Sequence, residues 1–167
     1  MNSIHIVCGP PASGKTTYGR KLAEGLDGVL LDSDAVCDRL IESGLALANL
    51  SPNDRDSSAY KAAYRDSVYQ TLFDLCLEIV RACPVVIAGP FTSESQTHDW
   101  PQTLEKRLNV SPKIHFLMVP AERRKAQMKQ RGAARDQSKL ADWARHCTAS
   151  FDGPPPFPCH LVESSSL

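Results

Sequence analysis

The stretch VCGPPASGKTT, residues 7–17, comes directly after the apolar run IHIV near the start of the chain. Gly9, Gly14, Lys15 and Thr16 have the spacing of a phosphate-binding loop, and the stretch lies between an apolar strand and a helix, as such a loop does. The glycines let the backbone curl so that successive N–H groups point inward, where the start of the helix adds the positive end of its dipole. A chance glycine turn is the alternative, but it leaves the lysine and threonine after Gly14 without a reason. The stretch therefore predicts a nucleoside triphosphate site.

Each residue type in this loop suits one part of a triphosphate. Lys15 is expected to reach the β- and γ-phosphates as a point charge, and the Thr16 hydroxyl to take a coordination position on Mg²⁺. Thr17 is placed near the α-phosphate. ATP and Mg²⁺ are therefore the expected cofactors, and the residues expected to contact the nucleotide are Gly9, Ala12, Ser13, Gly14, Lys15, Thr16 and Thr17.

Short apolar runs alternate with longer amphipathic segments along the whole chain. This alternation predicts an α/β fold of βαβ units, with a parallel sheet covered by helices on both faces. A helical stripe of apolar residues predicts a long helix over 58–82, started by Asp56 and Ser57 and stopped before Pro84. The length of 167 residues favours a single domain over residues 1–167, with a loose tail at 163–167.

Composition narrows the class of protein. Lys and Arg total 19, and Asp and Glu also total 19, so no net charge attracts the chain to nucleic acid or to an anionic membrane. The sequence has neither an apolar stretch long enough for a membrane span nor an N-terminal signal pattern, which predicts a cytoplasmic protein. The six cysteines form no CxxC pair, so reduced thiols are expected rather than a disulfide framework or a zinc site.

Two carboxylates follow the second apolar run, in LLDSDAV. Asp32 and Asp34 are expected at the carboxyl edge of the sheet, where open α/β folds bind ligands. Because residues two apart in a strand project to the same side, Asp32 is expected to orient Mg²⁺ through water and Asp34 to face an acceptor hydroxyl as a base. Which of the two is the base stays open, and so does a simpler role for Asp34 as the cap of the helix after it.

The third strand, VVIAGPF, lacks the acidic residue with which motor-type and switch-type nucleotide hydrolases hold metal at this place. This absence argues against a mechanochemical ATPase. It leaves metal binding to Thr16 and Asp32.

Positive charge concentrates in PAERRKAQMKQRGAARDQSKL. Gly132 is expected to end a helix, so that Arg131 and Arg135 fall on a short segment between two helices, a lid at about 131–139 that closes over phosphates. Arginine there would neutralise the transferring phosphoryl group, and Arg131 could also stack on adenine. The remaining basic residues of this helix are expected on a solvated face: Arg123, Arg124, Lys125 and Lys129.

With GPPASGKTT, LLDSDAV and QRGAARD in this order, the chain resembles the P-loop kinases of small molecules and nucleotides. LLDSDAV looks like the corresponding segment of adenylylsulfate kinases and gluconate kinases, and the lid looks like that of the zeta-toxin and polynucleotide-kinase-like group. The resemblance covers nearly the whole chain and implies a three-layer fold with a five-stranded parallel sheet in the order 2-3-1-4-5 and a lid.

The acceptor site is the part of this resemblance that differs. Where such kinases commonly carry an arginine three residues after the strand-two aspartate, this chain has Cys37. Arg39, Arg55 and Tyr60 are the substitute candidates for acceptor binding, together with Asp34. Aromatic and basic residues here could line a pocket or form the margin of a packed helix.

These patterns predict an ATP-dependent kinase that phosphorylates a hydroxyl of a small molecule, such as a sugar, a nucleoside or an antibiotic-like compound. Lys15, Asp34, Arg131 and Arg135 are the expected catalytic residues. A polynucleotide 5′-hydroxyl kinase and a nucleotide-binding regulatory module are the alternatives, the first disfavoured by the zero net charge. The sequence leaves the acceptor and the oligomeric state open.

Overall fold

A computed structural model of the chain describes residues 2–55, 57–149 and 153–163. Five parallel strands form one sheet in the order β2-β3-β1-β4-β5, which confirms the predicted fold class and strand order. The strands are β1 (Ile4–Cys8), β2 (Val29–Asp32), β3 (Val85–Ala88), β4 (Lys113–Met118) and β5 (His160–Glu163).

Helices connect these strands. They are α1 (Lys15–Gly25), α2 (Ser33–Leu47), α3 (Ser58–Ile79), α4 (Trp100–Leu108), α5 (Ala121–Arg131), α6 (Gln137–Ala141) and α7 (Trp143–Ala149). Short 3₁₀ turns lie at Glu94–Gln96 and Ala134–Asp136.

The central strands β1 and β3 are buried along their whole length because both faces of the sheet are covered. Every residue of β1 and β3 is buried, which is typical of a parallel strand between two helical layers. One core layer contains Ile6 and Ile87, and the other contains Val7 and Val86. Because successive strand residues point to opposite faces of the sheet, each face packs against its own helical layer, which gives a three-layer architecture.

Helix α3 is the long helix predicted from the apolar stripe. Its N-cap is Ser57, whose hydroxyl oxygen accepts a hydrogen bond from the backbone N–H of Tyr60 at 3.0 Å. Asp56, the other residue of the predicted start, lies outside the described residues. The helix ends at Ile79 rather than 82, and the chain turns before Pro84 leads into β3.

Helix α2 is longer than its sequence pattern indicates. It begins at Ser33, directly after β2, and runs to Leu47, whereas the sequence alone predicts a helix only through DAVCDRLIES, residues 34–43. Leu40 and Leu47 are exposed and do not lie on the buried face of the helix, so the apolar periodicity does not indicate where the helix ends. The early start changes the site, because it moves Asp34 from a strand into a helix.

Three findings bear on the compositional expectations. Within the described ranges, no helix combines the length and the apolarity needed to cross a membrane. The six cysteines all lie in described parts of the chain and are free thiols, of which Cys8, Cys37 and Cys76 are buried. Arg124 was expected on a solvated helix face, and that expectation is wrong, because the residue is fully buried.

Candidate active site

A cleft of about 740 Å³ opens at the carboxyl edge of the sheet. The loop between β1 and α1 forms its floor, the start of α2 and part of α3 form one wall, and the segment from Arg131 to α7 forms the other. In open α/β sheets this edge is where ligands bind. The cleft is large enough for a cofactor or a small substrate.

The floor has the backbone that a phosphate-binding loop requires. Gly9, Ala12 and Gly14 all have positive φ, at 142°, 57° and 87°. Gly9 also tolerates no side chain, since a Cβ there would lie 2.8 Å from the carbonyl oxygen of Leu117. Ala12 adopts a left-handed conformation that is uncommon for a residue with a Cβ, and such strain clusters at ligand sites.

Lys15 folds back over this loop. Its Nζ donates to the carbonyl oxygens of Gly9 at 3.0 Å and Pro10 at 2.8 Å. Burial lowers the pKa of Lys15 to about 8 although the negative charge of Asp34 opposes the shift, and the charge of Arg131 acts in the same direction as burial. The ammonium group is therefore a buried cation, and a bound phosphate would place further opposite charge beside it.

Thr16 and Asp32 form a hydrogen-bonded pair beside Lys15. The Thr16 hydroxyl donates to Asp32 Oδ2 at 2.6 Å, and Asp32 Oδ1 accepts from the backbone N–H groups of Asp34 at 3.0 Å and Ala35 at 3.2 Å. Asp32 is thus the N-cap of α2, and it is 8 % exposed. The alternative role of Asp34 as the cap of this helix is wrong.

Asp34 occupies the first turn of α2 and not the strand. The expectation that Asp32 and Asp34 project to the same side of a strand is therefore wrong, because β2 ends at Asp32. Asp34 nevertheless lines the cleft and is exposed there, whereas Asp32 is buried. The two carboxylates differ in environment: Asp32 is buried, and Asp34 is exposed in the cleft.

The residues present fit a nucleotide with a magnesium ion. The Ser13 hydroxyl lies in the loop, is completely buried and has no hydrogen-bond partner among the described residues. It is therefore available to hydrogen-bond a ligand in the loop. Thr16 and Asp32 offer hard oxygen atoms, as Mg²⁺ prefers, and Mg²⁺ commonly takes only one or two protein ligands and keeps several waters.

The lid brings Arg131 to the cleft. Helix α5 ends at Arg131, and Gly132 caps it with φ of 58°, as the sequence predicts. Arg131 lines the cleft and makes two hydrogen bonds to the buried carboxylate of Asp136. Arg135 lies in the 3₁₀ turn of the lid, and its side chain is outside the described part of the structure, so its assigned role stays a prediction.

The wall opposite the lid contains Arg55 and Tyr60. Arg55 pairs with Asp38 at 3.1 Å, and its guanidinium carbon lies 5.5 Å from the ring centroid of Tyr60. Both Arg55 and Tyr60 line the cleft. Arg39 does not: it is exposed on α2 and is absent from the described residues that line the cleft, so the structure does not support it as an acceptor residue.

Further cleft residues escaped the sequence reasoning. Asp136 was not singled out, although an acid shortly after an arginine and a helix-ending glycine was a usable signal. On α7, Arg145 and His146 line the lid wall. No local pattern marks them, because their position depends on how α6 and α7 are placed beside the cleft.

Known proteins with similar sequences and structures include several kinases. A shikimate kinase of Corynebacterium diphtheriae is 44% identical over 62 residues, which are 35% of this chain and 36% of the relative. The alignment thus spans about a third of that relative's length.

Two solved structures share the fold over almost the entire chain. One comes from Chloroflexus aurantiacus and is provisionally described as a kinase, with a TM-score of 0.70 at 21% identity, covering 98% of this chain and 86% of that one. The other is a sugar kinase of Janibacter, with a TM-score of 0.62 at 16% identity and the same coverage. At these identities the two likenesses show the fold alone, and they agree with the predicted parallel sheet and its strand order.

Residues 4–151 match the model of a family described as an AAA domain. The match begins at the first residue of β1 and extends beyond α7, so it includes the phosphate-binding loop, Asp32, Asp34 and the lid. It covers well over half of the sequence, and the chain belongs to this AAA domain family.

Proposed function

We propose that the protein is an ATP- and Mg²⁺-dependent kinase that transfers the γ-phosphoryl group to a hydroxyl of a small molecule. The observation that carries the proposal is the exposed carboxylate of Asp34 in the same cleft as Lys15 and the Thr16–Asp32 pair. A phosphate-binding loop alone would suit any nucleotide-binding protein. An exposed carboxylate in the same cleft is what a transfer reaction adds.

The loop and lid act on the donor. Backbone N–H groups of the loop bind the phosphates, and Lys15 exchanges its bonds to the Gly9 and Pro10 carbonyls for the β- and γ-phosphate oxygens. The Thr16 hydroxyl donates a hydrogen bond to Asp32, so the lone pairs of its oxygen remain available to a metal ion. A magnesium ion held by Thr16 and Asp32 would supply neutralisation of the phosphate charge. Arg131 approaches from the lid and stabilises charge on the transferring group.

Asp34 acts on the acceptor. It orients the attacking hydroxyl and accepts its proton as the new bond forms between the acceptor oxygen and the γ-phosphorus. The bond from that phosphorus to the bridging oxygen breaks, and ADP keeps the bonding electrons. Asp32 is unsuited to this role because both of its oxygens already accept hydrogen bonds from the protein.

The walls of the cleft favour a small acceptor. Ala133 and Ala134 of the lid line a second hollow of about 200 Å³ together with Asp38 and Arg55, so the lid lies close to the wall opposite it. A cleft of about 740 Å³ between a lid and a wall that lie this close suits a single small molecule better than a nucleic acid strand. The names of the similar proteins, a shikimate kinase and a sugar kinase, support the same conclusion.

The test is acceptor-stimulated ATP consumption by the purified protein with Mg²⁺. The panel contains sugars, shikimate, gluconate, nucleosides, adenylylsulfate, hydroxylated antibiotics and 5′-hydroxyl oligonucleotides. Lys15→Ala is expected to abolish any stimulated turnover. Asp34→Asn should lower kcat by about 10²- to 10⁴-fold, the contribution of a positioned base, and leave ATP affinity nearly unchanged.

Asp99→Asn is the matched control, since Asp99 is exposed before α4 and its side chain makes no capping hydrogen bond. Full turnover in Asp34→Asn would contradict the assigned role of Asp34. Stimulation by oligonucleotides alone would indicate a polynucleotide kinase, and tight ATP binding with no stimulation at all would indicate a regulatory module.

A further inference from the structure

The lid contains a buried carboxylate to which the chemistry above assigns no part. We propose that Asp136 is a positioning residue, which holds the guanidinium group of Arg131 in the orientation that meets the transferring phosphoryl group. The inference rests on the proposed function and assigns a role to a lid residue that does not itself contact the phosphoryl group.

The contact between the two side chains is bidentate. Arg131 Nε donates to Asp136 Oδ2 at 2.5 Å, and Arg131 Nη2 donates to Asp136 Oδ1 at 2.7 Å. Asp136 is 1% exposed, whereas the side chain of Arg131 is 41% exposed. A buried carboxylate without a partner is costly, so Asp136 requires Arg131 as much as it orients it. Two parallel bonds fix the plane of the guanidinium group, which a single bond would leave free to rotate.

The backbone places the two residues together. Gly132 ends α5 in the left-handed region with φ of 58°, and its N–H donates to the carbonyl oxygen of Met128 at 3.2 Å. The chain then turns back, and the N–H of Asp136 donates to the carbonyl oxygen of Ala133 at 2.9 Å in the 3₁₀ turn. Asp136 thereby arrives beside Arg131, five residues earlier in the chain.

The carboxylate occupies one edge of the guanidinium group and leaves the other edge for a ligand. Nε and one Nη2 hydrogen point to Asp136, so the donors on Nη1 remain for an anion. Arg131 and Asp136 both line the cleft, and the positive charge of Arg131 reaches Lys15, where it lowers the pKa of the ammonium group. The free donors of Arg131 therefore belong to the same phosphate region as Lys15.

The experiment compares the affinity for ADP with the affinity for ADP plus aluminium fluoride, a planar mimic of the phosphoryl group during transfer. It needs no acceptor, so it does not depend on the identity of the substrate. In the wild type, aluminium fluoride should tighten ADP binding, as transition-state analogues do. In Asp136→Asn the tightening of ADP binding by aluminium fluoride should be about 10- to 100-fold smaller than in the wild type, while the affinity for ADP alone changes little.

Arg131→Lys provides a second variant, because it keeps the charge and leaves Asp136 with a partner but cannot form the bidentate contact. It should lose a similar part of the gain. In the Arg131→Ala background, Asp136→Asn should cause no further loss, since Asp136 acts through Arg131. Asp74→Asn removes an Asp–Arg pair between α3 and α4, away from the cleft, and should retain the full gain.

The outcomes separate the two hypotheses. A wild-type protein that gains nothing from aluminium fluoride would contradict the proposed function, and this inference with it. A wild-type gain that both Asp136→Asn and Arg131→Lys retain in full would overturn the inference alone. An additional loss in the double variant would also overturn it, because Asp136 would then act independently of Arg131.

Discussion

Lys15 shows at the scale of one residue how burial sets the charge of the phosphate-binding loop. Its ammonium group is bonded to two loop carbonyls and is enclosed enough that burial lowers its pKa to about 8. In the free protein a fraction of Lys15 is therefore neutral at mildly alkaline pH. A bound phosphate favours the charged form, because opposite charges stabilise each other in a low-dielectric site.

Nucleotide affinity should therefore fall as the pH rises above about 8. The free protein must take up a proton on Lys15 to bind phosphate with full strength, so Kd for ADP should rise by up to about tenfold per pH unit until the bound-state pKa is reached. Calorimetric titration between about pH 7 and pH 9.5 checks this, since phosphate ionisation is complete there. Lys15→Ala should bind weakly with no such dependence. A wild-type Kd that stays constant across this range would refute the prediction.

The junction between β2 and α2 carries the chemistry at the scale of an element. Strand pairing of Asp32 with Ala88 stops at Asp32, and the helix begins at the next residue. Asp32 is therefore the last residue of β2, the N-cap of α2 and the hydrogen-bond acceptor of Thr16. One residue of difference in where the strand stops separates a buried, engaged carboxylate from the exposed Asp34.

The capping and ligand roles of Asp32 can be separated by two substitutions. Asp32→Ala should lower the free energy of unfolding by about 1 kcal/mol through loss of the cap, whereas Asp32→Asn keeps a good cap and should cost much less. Both variants should weaken the Mg²⁺-dependent part of nucleotide binding, because both lack the carboxylate. Urea denaturation and Mg²⁺ titration of nucleotide affinity measure the two effects.

Ser57→Ala is the matched control, since it removes the cap of α3 at a comparable cost without touching the loop. Equal stability of Asp32→Ala and the wild type would contradict the capping role. Undiminished Mg²⁺ dependence in Asp32→Asn would contradict the ligand role.

A buried histidine pair links the sheet to α1 at the scale of the whole molecule. His5 on β1 and His115 on β4 are 4% and 8% exposed, and His5 Nδ1 lies 3.0 Å from His115 Nε2. The Tyr18 hydroxyl lies 3.0 Å from His115 Nδ1, and the Ser3 hydroxyl lies 3.0 Å from His5 Nε2. Neutral rings with one proton each satisfy this chain of hydrogen bonds.

The pKa of both rings is lowered by burial. For His5 the charge of Lys113 adds to the effect, and the pKa of His115 falls to about 4 through burial, the neighbouring His5 and His160, and Lys113. The unfolded chain binds protons at these positions below about pH 6.5, and the folded chain resists doing so. Stability should therefore fall as the pH decreases from about 6.5 to about 4, with a contribution from His115 on the order of 3 kcal/mol.

Chemical denaturation at a series of pH values checks this sign and window. His115→Gln should show a shallower loss of stability with decreasing pH, whatever its stability at neutral pH. His98→Gln, at an exposed position, should reproduce the wild-type slope. If the slopes of His115→Gln and the wild type are the same over this window, the pair does not control acid stability.

Local patterns in the sequence determined the elements and the phosphate-binding loop. The positions of Gly9 and Gly14, the apolar runs of the buried strands and the glycine after Arg131 each act within a few residues, so they can be recognised without the fold. The strand order came from the resemblance that these motifs carry, and the sheet confirms it. Apolar periodicity indicates which face of an element is buried, but it does not identify the partner on that face.

The tertiary structure alone decided how the charged groups are partnered. Arg124 on α5 is buried beside Trp143 of α7. The guanidinium carbon of Arg124 lies 5.8 Å from the ring centroid of Trp143, and Arg124 Nε donates to the carbonyl oxygen of Val119. Arg39 faces solvent, although its sequence position suggested an acceptor contact. Asp136 meets Arg131 through a chain reversal. Burial and pairing of charge depend on which distant surfaces meet, and a sequence pattern encodes only the element on which each charge lies.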